Sequence, residues 1–225
     1  MKRLKNIMLY FTSDIHNNCK KFRELLKVIS LSGGDRIYVL GDLYDRNDYN
    51  PDPVGVYFTI LELKTRCTVV RGNHDTELAT YIMNYYGTPE KKRSKLEPYP
   101  YNSFELLKQR LTPVDMMNMA KLIMSWPLQV SLEWNGSKYL LAHAMTSNPE
   151  VTMPDDYYLT GVLNDKEYLE RGIEGYISIC GHRNIGGNRI WKNSRGNVYL
   201  CDCGCGYRDT KLGCLCLDTK EEYYA

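Results

Sequence analysis

Every histidine in the chain closely follows a short apolar segment, and three further residues of metal-binding type occupy the same kind of position. The set is Asp14, His16, Asp42, Asn73, His74, His143 and His182. A single histidine is usually a surface residue or a satisfied core residue, but that explanation fits four out of four poorly. Carboxylate oxygens and imidazole nitrogens are ligands for divalent metal ions. Because ligands bind beyond the carboxyl ends of the strands in open α/β sheets, the pattern predicts one shared metal site.

The mixture of acids and imidazoles is suited to two ions rather than one. Two ions about 3.5–4 Å apart need a bridging ligand that screens their repulsion, and an aspartate offers two oxygens and a negative charge. Such a pair clamps the attacking and leaving oxygens of an in-line displacement at phosphorus. Phosphate ester hydrolysis is among the slowest uncatalysed reactions, so it needs electrostatic help of this size. The residues therefore favour metal-assisted phosphoester hydrolysis.

The elements that must position these residues alternate between strand and helix in the first half of the chain. Short apolar runs predict strands at residues 7–13, 36–40 and 67–70, and apolar residues at helical spacing predict helices at 17–31, 54–64 and 76–86. This alternation predicts a sheet with parallel crossovers.

The second half is richer in strands. A helix is predicted from Thr112 to about Ser125, with Thr112 as its N-cap and Pro113 at its first position. The turn Asn135-Gly136 joins predicted strands at 128–134 and 138–142 in a hairpin. A helical stretch is expected around 155–172, and strands near 176–180, 189–192, 197–201 and 212–217. The fold class predicted is mixed α/β.

Residues 87–102, "GTPEKKRSKLEPYPYN", form a connection rich in proline, lysine and tyrosine. We interpret its basic run, residues 91–93, as part of a solvated loop. The alternative is a flap that recruits phosphate.

Composition indicates an ordinary soluble globular protein of 225 residues, with 43% hydrophobic and 25% charged residues. The net charge of +2 gives no bulk field that would recruit nucleic acid or a membrane surface. No apolar run approaches the roughly 20 residues that span a bilayer. The basic start and short apolar run at the N-terminus resemble a signal peptide, but no small-residue cleavage site follows. We expect a first strand there instead.

The eight cysteines raise the question of disulfides or a zinc site. Cys201, Cys203 and Cys205 alternate along one segment, and Cys214 and Cys216 along another, as they would on one face of each of two strands. The competing interpretation is zinc, although C-x-C-x-C lacks the usual knuckle spacing. We expect small buried hydrophobic residues and a reducing cytoplasm.

The ordered motifs resemble those of the calcineurin-like metallophosphoesterases. "SDIH", "GDLYDR", "RGNHD" and the later His143 and "GH" are most similar to small bacterial and phage members of the serine/threonine protein phosphatase branch. The resemblance runs from Asp14 to the closing segment "YLCDCGCGYRDTKLGCLCLD", and the motifs are specific only together. It implies a central β-sandwich flanked by helices, with a binuclear site at the strand ends. It also implies a single domain over residues 1–225 with a helical insertion at about 87–127.

The resemblance assigns a role to each motif residue. Asp14, His16 and Asp42 would bind the first divalent ion, and Asp42 would bridge to a second ion completed by Asn73, His143 and His182; manganese, iron and zinc are all compatible. A hydroxide between the ions would be the nucleophile, and His74, oriented by Asp45, the general acid. Arg46 would hold phosphate oxygens. We expect Asp75 to support the tight turn or to cap the next helix, and favour the helix cap.

Three features depart from the branch pattern. Asn17 and Asn47 stand where glycine is usual. The second phosphate-binding arginine has no clear match: Arg171 lies in the expected interval, and Arg183, beside His182, is a possible substitute.

The function predicted is phosphomonoester hydrolysis of a phosphoprotein or small phosphoester. The alternative is hydrolysis of dinucleoside polyphosphates, and Asp45 argues against it because the symmetrical tetraphosphatase relatives commonly carry another residue there. A non-catalytic scaffold is disfavoured because the full ligand set and the acid are present. A phosphodiesterase or nuclease gains no support from the net charge.

Overall fold

The computed structural model describes residues 7–161 and 165–225, and two five-stranded sheets form its centre. The first sheet has the strand order β10-β9-β1-β2-β3. Its strands are β1 (Leu9–Thr12), β2 (Arg36–Leu40), β3 (Cys67–Val70), β9 (Gly213–Cys216) and β10 (Glu222–Tyr224). β1, β2 and β3 are parallel, whereas β9 is antiparallel to both β1 and β10.

The second sheet has the order β4-β5-β6-β8-β7. Its strands are β4 (Gln129–Trp134), β5 (Ser137–Ala142), β6 (Ile177–Cys180), β7 (Trp191–Lys192) and β8 (Val198–Leu200). β5, β6 and β8 are parallel, and antiparallel β4 and β7 form the two edges. Parallel strands at the centre of both sheets bring the strand ends that carry polar residues to one side.

Eight α-helices surround the sheets in the described residues. They are α1 (Cys19–Ile29), α2 (Pro53–Leu63), α3 (Asn73–Gly87), α4 (Glu90–Arg93), α5 (Ser103–Lys108), α6 (Pro113–Ser125), α7 (Asp155–Leu159) and α8 (Lys166–Arg171). A 3₁₀ turn, Lys64–Arg66, links α2 to β3. None of the helices in the described ranges is long and apolar enough to cross a membrane.

Apolar side chains from both sheets form the layer between them. Phe11 of the first sheet and Leu141 and Ile179 of the second are fully buried in this cluster. The largest cluster lies on the other face of the first sheet, where α1, α2, α3 and α6 pack their buried residues. Burying this apolar area is the main stabilising contribution to such a fold. The predicted mixed α/β class, with sheets flanked by helices, is confirmed.

Most elements agree with the sequence prediction, and the differences have local causes. α3 begins at Asn73 rather than at Thr76, because the Asp75 carboxylate caps its first turn. The stretch predicted as one helix near 155–172 contains two short helices, and residues 162–164 of it lie outside the described residues. The basic run at 91–93 belongs to the exposed helix α4 rather than to a loop. β10 was not predicted.

The prediction for the cysteines was partly wrong. Cys214 and Cys216 do lie on β9, but β8 ends at Leu200, so Cys201, Cys203 and Cys205 follow a non-strand path. Gly204, with φ +77°, turns the backbone there and prevents a regular strand. All eight cysteines are free thiols, and seven of them are buried. They pack as small hydrophobic residues, as expected.

Candidate metal centre

The six predicted metal ligands come together from five loops at the ends of parallel strands. Asp14 and His16 follow β1, Asp42 follows β2, Asn73 begins α3 after β3, His143 follows β5, and His182 follows β6. Two groups of three side chains offer ligand atoms within 4.8 Å of one another, namely Asp14, His16 and Asp42, and Asp42, His143 and His182. Asp42 belongs to both groups, which is the arrangement that a bridging ligand requires.

The first group is almost completely buried. The His16 Nε2 atom lies 3.6 Å from Asp14 Oδ1 and 3.9 Å from Asp42 Oδ2. These three atoms face one another, but the separations are longer than hydrogen bonds, which leaves a gap that a small cation fits.

The second group is built around the Nε2 atom of His143. It lies 3.3 Å from Asp42 Oδ2, and 3.1 Å from both Asn73 Oδ1 and His182 Nδ1. One carboxylate, one amide oxygen and two imidazoles therefore converge on one point. This donor set suits a borderline divalent ion.

Each of the two aspartates has one anchored oxygen and one free oxygen. Asp14 Oδ2 accepts hydrogen bonds from the Ser13 hydroxyl and from the His182 backbone N–H, and Asp42 Oδ1 accepts one from the His74 backbone N–H. Asp14 Oδ1 and Asp42 Oδ2 are buried, and no hydrogen-bond donor among the described residues reaches them. A buried carboxylate oxygen without a donor is costly, and a bound cation satisfies it. The residues therefore fit a pair of ions.

Two of the buried imidazoles are oriented by backbone carbonyls. His16 Nδ1 lies 2.9 Å from the Tyr44 carbonyl oxygen, and His143 Nδ1 lies 2.8 Å from that of Leu40. A carbonyl can only accept, so each Nδ1 carries a proton, and in the neutral form of the ring each Nε2 presents its lone pair to the site. Such a partner behind a metal-binding histidine fixes its tautomer and ring orientation.

The charges within the cluster are strongly coupled. Burial by itself would lower the pKa of His143, but the Asp42 carboxylate outweighs it and raises that pKa to about 10. Burial by itself would raise the pKa of Asp42, but His143 above all holds that pKa far below its usual range. Burial and the neighbouring His143 lower the pKa of His182 to about 4. The buried carboxylates thus favour a positive charge within the cluster, and a proton on His143 supplies that charge when no metal ion is bound.

Backbone geometry at the site is unusual, because four of the six candidate ligands have positive φ. The values are 54° for Asp14, 47° for His16, 52° for Asp42 and 63° for His182. Asp and His occupy this left-handed region more often than most residues. Gly72 permits a close approach: a Cβ there would collide with Asp42 Oδ1 and the Asp42 backbone nitrogen. The tight "RGNHD" turn therefore lies directly against the shared carboxylate.

His74 lies beside the ligand cluster and pairs with Asp45. The residue is 1% exposed, and His74 Nδ1 lies 3.1 Å from Asp45 Oδ2. The two rings of His74 and His16 meet edge to face with centroids 5.4 Å apart, so the imidazole borders the first group. An imidazole held by a carboxylate at this position can supply a proton to a leaving group.

Arg46 lies half-buried beside the same cluster. Burial by itself would lower its pKa, but Asp42 outweighs it and raises that pKa, so the guanidinium is always charged. No hydrogen bond or ion pair from the described residues occupies its side chain, which leaves its donors available to a substrate anion. Arg46 also lines a recess of about 600 Å³ together with Tyr49, Tyr101, Asp48, Gly206, Tyr207 and Arg208.

Asp75 does more than cap a helix. Its carboxylate accepts the Gly72 N–H at the start of α3, as expected, and also the N–H groups of Asp42 and Leu43. These two bonds, of 2.9 and 2.8 Å, tie the loop after β2 to the loop after β3. The sequence signalled only the capping, because the partners at Asp42 and Leu43 are more than 30 residues away.

Three residues beside the proposed acid were not predicted from the sequence. The Tyr99 hydroxyl donates a 2.6 Å hydrogen bond to Asp45 Oδ2, and the Tyr101 ring contacts the His74 ring with centroids 4.9 Å apart. Ser103 Oγ accepts the Asp45 backbone N–H and the Asn17 side-chain amide. The repeated tyrosines of the connection at 87–102 were the only available signal.

The departures at Asn17 and Asn47 keep the turns ordered. Asn17 has φ +60°, a conformation that asparagine tolerates better than most residues other than glycine. Asn47 Oδ1 accepts long hydrogen bonds from the N–H groups of Tyr49 and Asn50, which form an Asx-type turn. Of the two arginines considered for phosphate binding, Arg171 pairs with Glu167 on the exposed face of α8. Arg183 is half-buried next to His182.

Comparison with known proteins gives one family and several related structures. A family model described as calcineurin-like phosphoesterase matches residues 7–202. The symmetrical bis(5'-nucleosyl)-tetraphosphatase of Buchnera aphidicola subsp. Schizaphis graminum is 36% identical over 86 residues, which are 38% of this chain and 29% of that protein. The aligned stretch is therefore less than a third of that relative's length.

Two solved structures resemble nearly the whole chain. A proposed diadenosine tetraphosphatase has a TM-score of 0.69 at 18% identity, covering 99% of this chain and 94% of its own. A serine/threonine phosphatase from Saccharomyces cerevisiae, with similarity to human phosphatase PP5, has a TM-score of 0.60 at 14% identity, covering 100% and 80%. At such identities these two likenesses are evidence for the fold alone.

Proposed function

This chain belongs to the calcineurin-like phosphoesterase family, and we propose that it is a metal-dependent phosphomonoesterase of the protein phosphatase type. In this proposal Asp14, His16 and Asp42 bind one divalent ion. Asp42, Asn73, His143 and His182 bind the other. The support is the pair of buried carboxylate oxygens without donors, together with the imidazoles that face them.

The observation that carries the choice of a monoester is the contact between His74 Nδ1 and Asp45 Oδ2 at 3.1 Å. A serine or threonine alkoxide is strongly basic and leaves only when it is protonated, so its hydrolysis needs a general acid. A nucleoside diphosphate is a stable anion and leaves without that help. A buried, oriented imidazole beside the ligand cluster is therefore what a phosphoserine or phosphothreonine substrate requires.

The residues of the chain divide the chemistry among them. When bound, divalent ions supply a water-derived nucleophile at neutral pH and neutralise charge on the phosphoryl group. Arg46 binds phosphate oxygens through its planar set of donors. His74 donates its Nε2 proton to the leaving oxygen, while its Nδ1 proton stays on the ring, hydrogen-bonded to Asp45 Oδ2. Asp75 and Gly72 hold the two loops so that Asp42 and His74 keep their relative positions.

Hydrolysis of dinucleoside polyphosphates is a second candidate, favoured by the Buchnera relative and by the recess beside Arg46. Tyrosine rings suit stacking on a nucleobase, and a second arginine, Arg208, suits a further phosphate. The Arg208 guanidinium lies 5.9 Å from the centre of the Tyr49 ring, within the same recess.

A substrate panel separates the two candidates. The purified protein, reconstituted with Mn²⁺, Fe²⁺ or Zn²⁺, is assayed on phosphoserine, phosphothreonine and phosphotyrosine peptides, 4-nitrophenyl phosphate and diadenosine tetraphosphate. We expect metal-dependent turnover with the highest kcat/KM on the phosphoserine or phosphothreonine peptide. A much larger kcat/KM on the dinucleotide would replace the first candidate by the second, and activity that survives exhaustive chelation would contradict both.

A further inference from the structure

The segment after α4 passes directly over the proposed acid. Tyr99 lies between two other aromatic side chains of this region, with ring centroids 5.0 Å from Tyr81 and 5.8 Å from Tyr101. Tyr81 in turn packs edge to face on buried Phe104, with centroids 4.8 Å apart. Aromatic contacts of this kind fix the position of a ring. The Tyr99 ring is therefore held in place independently of its hydroxyl group.

The hydroxyl of Tyr99 hydrogen-bonds to the same carboxylate oxygen that faces His74. Asp45 Oδ2 accepts the Tyr99 hydroxyl at 2.6 Å and faces His74 Nδ1 at 3.1 Å. Asp45 Oδ1 is buried and has no donor among the described residues. Within the described chain, Tyr99 and His74 are thus the two side chains that hold this carboxylate.

Tyr99 acts as a donor over the whole useful pH range. Burial, together with the neighbouring Asp45 carboxylate, raises the pKa of Tyr99 far above its ordinary value. The hydroxyl therefore stays protonated and its proton points at Asp45. The Asp45 backbone is fixed separately, because its N–H donates to Ser103 Oγ at 3.0 Å. The remaining freedom of Asp45 is rotation of its side chain, which the hydrogen bond from Tyr99 restricts together with the contact to His74.

We propose that Tyr99 is a positioning residue for the general acid: it holds Asp45 Oδ2 where that oxygen can keep the Nδ1 proton of His74 in place. Tyr99 does not touch the reacting atoms, and its effect passes through Asp45 to His74. This inference rests on the proposed function, because it assigns Tyr99 a role in the protonation of the leaving oxygen.

The test is Tyr99→Phe, which keeps the packed ring and removes only the hydroxyl. In metal-loaded protein we expect kcat on a phosphoserine peptide to fall about tenfold, a part of the ~10²–10⁴-fold that general acids supply. On 4-nitrophenyl phosphate, whose leaving group needs little protonation, kcat should change by less than about twofold. Bound metal should be the same as in wild type. Equal losses on both substrates, or no loss on either, would overturn the proposal.

Tyr81→Phe is the matched control. It removes a hydroxyl from the same aromatic cluster, and no described residue hydrogen-bonds to that hydroxyl, so both rates should stay at the wild-type level. A second control is Tyr99→Phe in an Asp45→Asn background. If Tyr99 acts through Asp45, the double variant should be no slower than Asp45→Asn alone. A further tenfold loss there would mean that Tyr99 acts by another route.

A spectroscopic measurement separates failure of this inference from failure of the proposed function. Proton NMR of the Zn²⁺-loaded protein follows the Nδ1–H resonance of His74. Tyr99→Phe should shift that resonance, since Asp45 Oδ2 loses its other donor, and Tyr81→Phe should leave it unchanged. If the wild-type enzyme hydrolyses no monoester, the proposed function fails, and this resonance alone decides the role of Tyr99. An unshifted resonance in Tyr99→Phe overturns it.

Discussion

Gly41→Ala should damage the site by displacing two of its loops at once. Gly41 has φ +83°, and a Cβ there would lie 2.6 Å from His143 Nδ1 and 2.8 Å from the Cα and N atoms of Gly72. The His143 ring cannot move away freely, because its Nδ1–H donates a hydrogen bond to the Leu40 carbonyl oxygen. The Gly72 backbone is equally confined by the Asp42 side chain.

The size of the effect follows from two contributions. The left-handed backbone costs about 1–2 kcal/mol with a Cβ present, and overpacking a fixed site costs about 1–3 kcal/mol more. Gly136 is the matched control, since it has φ +76° and nothing within 4 Å of an added Cβ. Gly136→Ala should therefore cost only the first contribution.

Thermal unfolding measures the difference. For a chain of this size, each kcal/mol lowers Tm by roughly 2–4 °C. We expect a fall of about 10 °C for Gly41→Ala and about 4 °C for Gly136→Ala, both measured with a chelator so that metal binding does not contribute. Metal analysis without chelator should show less bound metal in Gly41→Ala only. If the two variants unfold at the same temperature and bind the same amount of metal, the loops around Gly41 are not packed as closely as described.

Three further predictions concern the ligands, the acid and the thiols. Asp42→Asn should reduce the binding of both ions because Asp42 belongs to both ligand groups, whereas Asp14→Asn should leave the second ion bound. Metal stoichiometry after dialysis distinguishes the two variants. If both variants lose the same amount of metal, Asp42 is not a bridging ligand. His74→Ala should keep both metals and lose ~10²–10⁴-fold in kcat on phosphoserine peptide but far less on 4-nitrophenyl phosphate; loss of metal would make His74 a ligand instead. Titration with a thiol reagent should detect eight free thiols in the unfolded protein. In the native protein the thiols should react slowly, because burial raises the pKa of Cys180, Cys203 and Cys205 to about 12. A disulfide found in protein prepared under reducing conditions would contradict this prediction.

The sequence contained most of the ligand geometry because that information is local. His143 and His182 each end an apolar run, and parallel strands bring such ends to one edge of a sheet. The helix cap at Asp75 was also visible, since its partner Gly72 is only three residues away. Local patterns of this kind predict which element a residue belongs to and which end it occupies.

The contacts that complete the site are distant in the chain and leave no periodic signal. Tyr99 and Asp45 are 54 residues apart, and Tyr99 lies in a connection that has neither helical nor strand spacing. β10 was missed for a related reason, since Glu222–Tyr224 is three residues long and is a strand only because it pairs with β9. The alternation of Cys201, Cys203 and Cys205 predicted a strand that does not form, because Gly204 turns the chain within this segment.

The positive φ values at Asp14, His16, Asp42 and His182 have a consequence for the choice of ion. Conformations of this kind cost about 1–3 kcal/mol each and persist only where the surrounding structure holds them. The ligand atoms are thus preorganised during folding, and the cage cannot widen without rebuilding its loops. Calcium needs six to eight oxygen ligands at about 2.3–2.6 Å. The proposed ligands include three imidazole nitrogens and few oxygens, so this site should discriminate against calcium.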